Sequence, residues 1–355
     1  MIKTLTDVSK SRILRRAIFI IGLFHVIIQL YFWYPACLND HTKRDWFIYY
    51  AAAVKISQHA SPYVKSPVYT AHQTPRMYLY SPAFALLLVP LSALSPLRFA
   101  QVWYALILAA YWVFCGALAK LSARSQIHVE AVLAWGLALA YTPGVYTSMA
   151  MGQADALVWA MFGVGVTWKQ QFWLGLCAHV KPYYAWPLAV YGIRAEYKQL
   201  LTAVTVMALG FLAALAVCGP GVFKDWYTTA YLVGSQGTFN SDNISLSFAG
   251  IRAARLCGWS SGPGAMPEMA RIYLAVMSVT APVAAAILSR PLSVRRAAIV
   301  TLIAALLFAP ICWTAYLAVS LLLVGDGIGA ALAKQNNIPP NKKTIAPCAA
   351  IPGIQ

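Results

Sequence analysis

The sequence predicts an all-α polytopic membrane protein, a bundle of about ten transmembrane helices with two long extracytoplasmic loops carrying interfacial helices. Three observations predict it. Of the 355 residues, 60% are hydrophobic and only 10% are charged, against roughly 25% charged in a soluble domain. The apolar residues gather into runs near the length of about 20 residues that a spanning helix needs. More than half of the 27 Lys and Arg fall in short segments that an even alternation of these runs places on one side, as the positive-inside rule requires. The net charge of +17 forms no basic stripe, which excludes a soluble nucleic-acid-binding domain. The composition also excludes a disordered chain and a disulfide-stapled secreted module.

The first span is expected at 17–37, behind Lys10, Arg12, Arg15 and Arg16, with its N-terminus in the cytoplasm. Further spans are expected at 99–119, 129–147, 156–168, 200–218, 269–288, 297–309 and 314–333. Between 172 and 193 the pair Lys181-Pro182 puts a charge and a helix breaker inside an apolar run, which two half-spans meeting at Lys181 explain better than one helix. The two long loops are 38–98 and 219–268, both rich in Trp, Tyr, Pro and Gly. Residues 1–333 read as one membrane domain and 334–355 as a disordered cytoplasmic tail. The seven Cys show no metal-ligand spacing and read as small core hydrophobes. There is no phosphate-binding glycine loop, so an ATP-driven pump is not expected.

Several residues in these loops and breaks can carry chemistry. Asp45 opens the run Asp45-Trp46-Phe47-Ile48-Tyr49-Tyr50-Ala51-Ala52, where Phe47, Tyr50 and Val54 share a helical face suited to the membrane interface. Spacing alone favours Asp45 as an N-cap, which is compatible with a carboxylate at the outer membrane surface acting as a general base. Tyr78-Leu79-Tyr80-Ser81-Pro82 precedes a short apolar stretch, 83–94, read as interfacial or re-entrant. Met151-Gly152-Gln153-Ala154-Asp155 stands at the outer end of a span, with Asp155 expected to cap the next helix rather than act as a second base. Asn243-Ile244-Ser245-Leu246, then Arg252 and Arg255, lie in the second loop, and Ala309-Pro310-Ile311-Cys312-Trp313 closes the ninth span. Lys181 either snorkels to the interface or, with Arg252 and Arg255, binds an anion.

In that order these pieces resemble glycosyltransferase family 87, membrane enzymes of the GT-C fold that use polyprenyl-phosphate sugars and include phosphatidylinositol-mannoside mannosyltransferases. The matching residues are Asp45, Tyr49, Tyr50 and Ala52; Tyr80 and Pro82; Gly152 and Gln153; Lys181 and Pro182; Asn243, Ser245 and Leu246 with Arg252; and Pro310 and Trp313. Two departures stand out. Asp155 occupies a place where members carry Asn. Trp313 is followed by Thr314, Ala315 and Tyr316 where members carry His, which leaves two readings: His41, His59 or His72 takes that place, or the chain is a weak or divergent enzyme.

The resemblance implies a hexosyltransferase in the cytoplasmic membrane with its site facing outward, moving mannose or another hexose to a lipid-linked or glycan acceptor with inversion. Nucleotide sugars are absent outside that membrane, so the donor has to be a lipid phosphate sugar. Asp45 would be the general base, Lys181, Arg252 and Arg255 the donor-phosphate ligands, and Tyr49, Tyr50, Tyr80, Gln153, Asn243 and Trp313 the substrate contacts. A monophosphate donor requires no metal or other cofactor. Two other classes remain open at this level: a flippase or transporter, which also uses Pro-interrupted half-spans, and a non-catalytic polyprenyl-phosphate-binding protein.

Overall fold

A computed structural model describes residues 12–29, 31, 34–35, 44–63, 78–123, 127–236, 244–247, 249, 251, 253, 268–309, 312 and 314–335. Every regular element among them is helical. The α-helices are α1 (Arg12–Ile28), α2 (Asp45–Ser57), α3 (Pro82–Leu88), α4 (Pro96–Ala123), α5 (Val129–Ala140), α6 (Pro143–Met151), α7 (Asp155–Trp168), α8 (Gln171–Val180), α9 (Leu188–Ile193), α10 (Tyr197–Gln236), α11 (Glu268–Leu288), α12 (Val294–Leu307) and α13 (Leu321–Gln335). Short 3-10 turns follow α3 at Val89–Ala93, precede α9 at Pro182–Ala185 and precede α13 at Thr314–Ser320.

Among the described residues, three helical stretches are long and apolar enough to cross a membrane: Pro96–Ala123, Tyr197–Ala230 and Ala315–Lys334. The pair Gly144–Met151 and Asp155–Trp168, bent by 118°, passes together as a fourth. The chain is a membrane protein, and its exposed side chains fit that solvent. Leu201, Leu209 and Leu212 on α10 and Ile20 and Phe24 on α1 are more than half exposed, apolar surface that suits a lipid surrounding. The core packs around α4 and α7, where Trp103, Phe114, Trp159 and Phe162 are fully buried. Three of the four cysteines described (Cys115, Cys177 and Cys312) are buried, in line with their reading as small apolar residues.

Two ends of the bundle differ in chemistry. At one end Arg194 donates to the backbone oxygens of Ser289 (3.1 Å), Arg290 (2.8 Å) and Leu292 (2.5 Å), clamping the turn between α11 and α12. Beside it, buried Asp326 of α13 accepts from Arg295 Nη2 at 2.7 Å and Arg296 Nε at 2.5 Å. Both carboxylate oxygens are satisfied, which offsets the cost of burying the charge. Arg194, Arg290, Arg295 and Arg296, all expected on one side from sequence, are thus gathered together.

At the other end the two loops expected from sequence meet. Trp226 Nε1 donates to Leu79 O at 3.1 Å, Ile244 N to Cys312 O at 2.8 Å, and Ser245 Oγ to Ala309 O at 2.5 Å. The second loop differs from its expected form. Helix continues from the span past Gly219-Pro220 to Gln236, because Gly219 turns at φ 77° and Pro220 is preorganised to restart a helix at its first position.

The contact between α8 and α10 depends on Gly175. A Cβ there would stand 2.4 Å from the backbone oxygen of Ala203 and 2.9 Å from Val206 Cβ. Backbone cannot step aside cheaply, so Gly175→Ala is expected to destabilise the protein by about 1–3 kcal/mol. A thermal unfolding scan in detergent checks this, and an unchanged midpoint would contradict the packing.

Candidate functional site

The site grows from two breaks in the helices. The first is the elbow between α6 and α7. Gly152 ends α6 in the left-handed region (φ 69°), with Gly152 N bonded to Met149 O at 3.1 Å and Gln153 N to Ser148 O at 2.9 Å. This is a Schellman cap, which suits Gly at that position. Trp103 Nε1 donates to Gly152 O at 2.8 Å and pins the elbow to α4. The second break is at Lys181. The residue before a proline is driven out of the helical region, and Lys181 is extended at φ −136°, ψ 109°. Because α7 and α8 run antiparallel, the two breaks lie side by side.

There Lys181 Nζ forms an ion pair with Asp155 Oδ1. Both residues are buried, at 7% and 1% exposure. The second oxygen, Oδ2, accepts from Ser148 Oγ at 3.0 Å, and Lys181 Nζ stands 3.5 Å from the centre of the Tyr316 ring. Asp155 is therefore no helix cap. Ala154 occupies the N-cap position without a side-chain bond, and the Asp155 carboxylate turns sideways to Lys181. Lys181 does not snorkel, because a buried counter-ion satisfies it where it is.

α2 lies across this end on α3, the turn after α3, and α4. Its N-cap is Arg44, and Asp45 is the first helical residue, where the helix dipole favours a carboxylate. Arg44 Nη1 donates to Ala150 O at 3.1 Å and so ties the start of α2 to the end of α6. Asp45 is half-buried and close enough to act electrostatically on Tyr49, Tyr80 and Lys181. The Tyr49 hydroxyl sits 2.8 Å from that of Tyr80 and accepts from Ala154 N at 3.1 Å. Burial, then the neighbouring Asp45, pushes the Tyr49 phenol well above its ordinary value; burial does the same for Tyr80, with Tyr49 and the two carboxylates adding to it. Both remain neutral hydroxyls able to donate.

Of the residues expected from sequence, Asp45, Tyr80, Gln153 and Lys181 come together at this end. Tyr49 is 1% exposed and stands behind Tyr80 as a support. Tyr50 turns to Phe99 (ring centres 5.2 Å apart) and Leu94 O (3.3 Å). The buried face of α2 is Trp46, Tyr49, Ala52, Ala53 and Ile56, with Phe47, Tyr50 and Val54 only half-buried. Asn243, Arg252, Arg255 and Trp313, with His41 and His72, lie outside the described residues. His59 follows α2 at φ 55°, exposed, a chain-turning position. Arg44 and Ser148 were not singled out from sequence, and Tyr316 only as a residue standing where family members carry His. One signal for the ion pair was present: two charges at breaks in apolar helices each require a counter-ion.

The family model described as glycosyltransferase family 87 matches residues 78–324, a stretch that holds Tyr80, Gly152, Asp155, Lys181 and Tyr316 and begins after α2. No curated protein and no solved structure matches the chain.

Proposed function

The chain belongs to glycosyltransferase family 87, and from that membership we propose that it moves a hexose, mannose first among the candidates, from a polyprenyl-phosphate donor to a lipid-linked or glycan acceptor. The observation that carries this reading is the convergence of Asp45 with the Lys181–Asp155 pair at one end of an apolar bundle. Transfer from a lipid phosphate needs a group to take the acceptor proton, a cation for the departing phosphate, and lipid-facing helices for the tail.

Asp45 takes the proton of the acceptor hydroxyl as its oxygen attacks the anomeric carbon. The bond from that carbon to the phosphate oxygen breaks with inversion, so a β-linked donor gives an α-linked product. Polyprenyl phosphate leaves with the bonding electron pair, and the Lys181 ammonium stabilises the charge that develops on it. Arg252 and Arg255 supply further cations, and Asn243, Gln153, Tyr80 and Trp313 contact the sugar or acceptor. The chain makes ten passes of the cytoplasmic membrane and the Asp45 end faces outward. The gathering of Arg194, Arg290, Arg295 and Arg296 at the opposite end supports that orientation.

The test is transfer by the purified protein in liposomes, offered labelled polyprenyl-phosphate mannose, the corresponding glucose and galactose donors, or a labelled nucleotide sugar. Label is expected in the lipid or glycan fraction from a polyprenyl-phosphate donor only. Transfer from the nucleotide sugar alone would overturn the reading. Movement of the intact donor across the bilayer without transfer would point to a flippase instead.

A further inference from the structure

The ion pair raises a difficulty for the proposed mechanism: Lys181, the cation at the reacting end, is already neutralised by Asp155. The geometry resolves it. An ammonium has three N–H donors. One is used by Asp155, and a second direction is covered by the face of Tyr316, a cation–π contact. Among the described residues the third has no bonded acceptor, and an anion can take it. Asp155 itself has no free oxygen to offer a substrate, since Ser148 Oγ holds Oδ2 at 3.0 Å and the side chain is 1% exposed.

We propose that Asp155 is a positioning residue for the donor phosphate: it holds the Lys181 ammonium in place at the break after α8, so that anion binding by Lys181 depends on a carboxylate that does not touch substrate. The proposal rests on the polyprenyl-phosphate reading above. Two features of the fold serve it. The Gly152 elbow folds α6 back so that Ser148 reaches Asp155 over seven residues, and Pro182 stops α8 where Lys181 faces α7.

The consequence is a dependence on pH in variants that lose the carboxylate. The groups facing Lys181 are Asp155 from α7, Asp45 from α2, and Cys312 and Tyr316 from the segment before α13. On its own helix, His179 turns away to Val206 O and the Phe211 ring of α10, and the charged side chains of α12, Arg295 and Arg296, are both paired with Asp326. With Asp155 gone, half-buried Asp45 is the balancing charge left to the buried ammonium among the described residues. A buried lysine lacking its partner gives up its proton as pH rises. Anion binding is then lost on the alkaline side and recovered on the acid side.

The test uses undecaprenyl monophosphate as the probe, with binding to the full-length protein in detergent measured by thermophoresis at about pH 6 and about pH 9. The second ionisation of a phosphate monoester, near about 6, raises the probe's charge with pH, so wild-type affinity is expected to hold or rise. Asp155→Asn is expected to weaken by about tenfold or more from the acid to the alkaline condition, the opposite sign. Asp155→Glu, which keeps the charge, restores the wild-type profile. Ser148→Ala keeps the carboxylate charge but loosens its hold on Lys181, so binding is expected to weaken by about threefold at both pH values, which covers the case in which Asp155→Asn fails to fold. An Asp155→Asn profile parallel to wild type, or Ser148→Ala binding as tight as wild type, overturns the proposal. If Lys181→Met binds the probe as tightly as wild type, or wild type binds none, the donor-phosphate reading itself falls. Retained binding in wild type, lost in Lys181→Met but pH-independent in Asp155→Asn, removes the role of Asp155 alone.

Discussion

Asp45→Asn is expected to reduce sugar transfer by about 10²- to 10⁴-fold, the range a positioned general base contributes, with little change in stability or in polyprenyl-phosphate binding. The amide has the same shape but cannot accept the acceptor's proton. The structural cost is small for a definite reason. Asp45 is the first helical residue of α2 and not its N-cap, which is Arg44, so no cap is lost, and the carboxylate's interaction with the helix dipole contributes about 0.3–1 kcal/mol. What holds α2 in place is elsewhere: fully buried Trp46 and Ala53, buried Tyr49 with its bonds to Tyr80 and Ala154, and the Arg44 contact with Ala150. A rate that collapses while the unfolding midpoint and the affinity for undecaprenyl monophosphate stay near wild type is the expected signature. Unchanged transfer would remove Asp45 as the base.

Lys181→Met is expected to fail on both counts. Removing one partner of a buried ion pair leaves a charge without compensation, at a cost of about 3–5 kcal/mol, and it deletes the cation proposed for the phosphate. Combining it with Asp155→Asn separates the two losses. The double variant buries no unpaired charge, and the Asn side chain keeps an oxygen for the Ser148 bond, so most of the stability is expected to return while transfer and phosphate binding remain absent. Unfolding midpoints and binding measured side by side on the three variants check this. Recovery of binding together with stability would make Lys181 a structural residue.

Much of this arrangement was legible in the sequence wherever a strong local rule applied. The break at Lys181-Pro182 was readable because proline ends a helix whatever surrounds it, and α7, α11 and α12 fall close to their expected bounds because long apolar runs admit one reading. α2 was harder. Its thirteen residues are apolar on nearly every side, so spacing alone did not decide between the Trp46–Tyr49–Ile56 face and the Phe47–Tyr50–Val54 face; contacts with α3 and α4 decide it. Asp155 illustrates the other limit. An acidic residue at a helix start satisfies the capping rule locally, and only the antiparallel α7–α8 hairpin reveals that Lys181, 26 residues along the chain, is its partner. Asp326 is similar: it sits within Gly325-Asp326-Gly327, and its arginine partners on α12 are set by tertiary packing. The continuation of α10 beyond Gly219-Pro220 runs against the usual reading of that dipeptide as a stop, since here it stops one helix and starts the next.

The central claim is that Lys181 receives the donor phosphate while Asp45 faces the anomeric carbon. A cryo-EM map of the protein with a non-transferable polyprenyl-phosphate sugar analogue tests it most directly. The account predicts a phosphate oxygen within about 3 Å of Lys181 Nζ, at the distance of a charge-assisted hydrogen bond, with the sugar ring between it and the Asp45 carboxylate and the isoprenoid tail against an exposed apolar helix face. A phosphate bound instead at the opposite end, near Arg194 and Arg290 or in the groove between α1 and α5 lined by Arg15, Arg16 and Glu130, would contradict it.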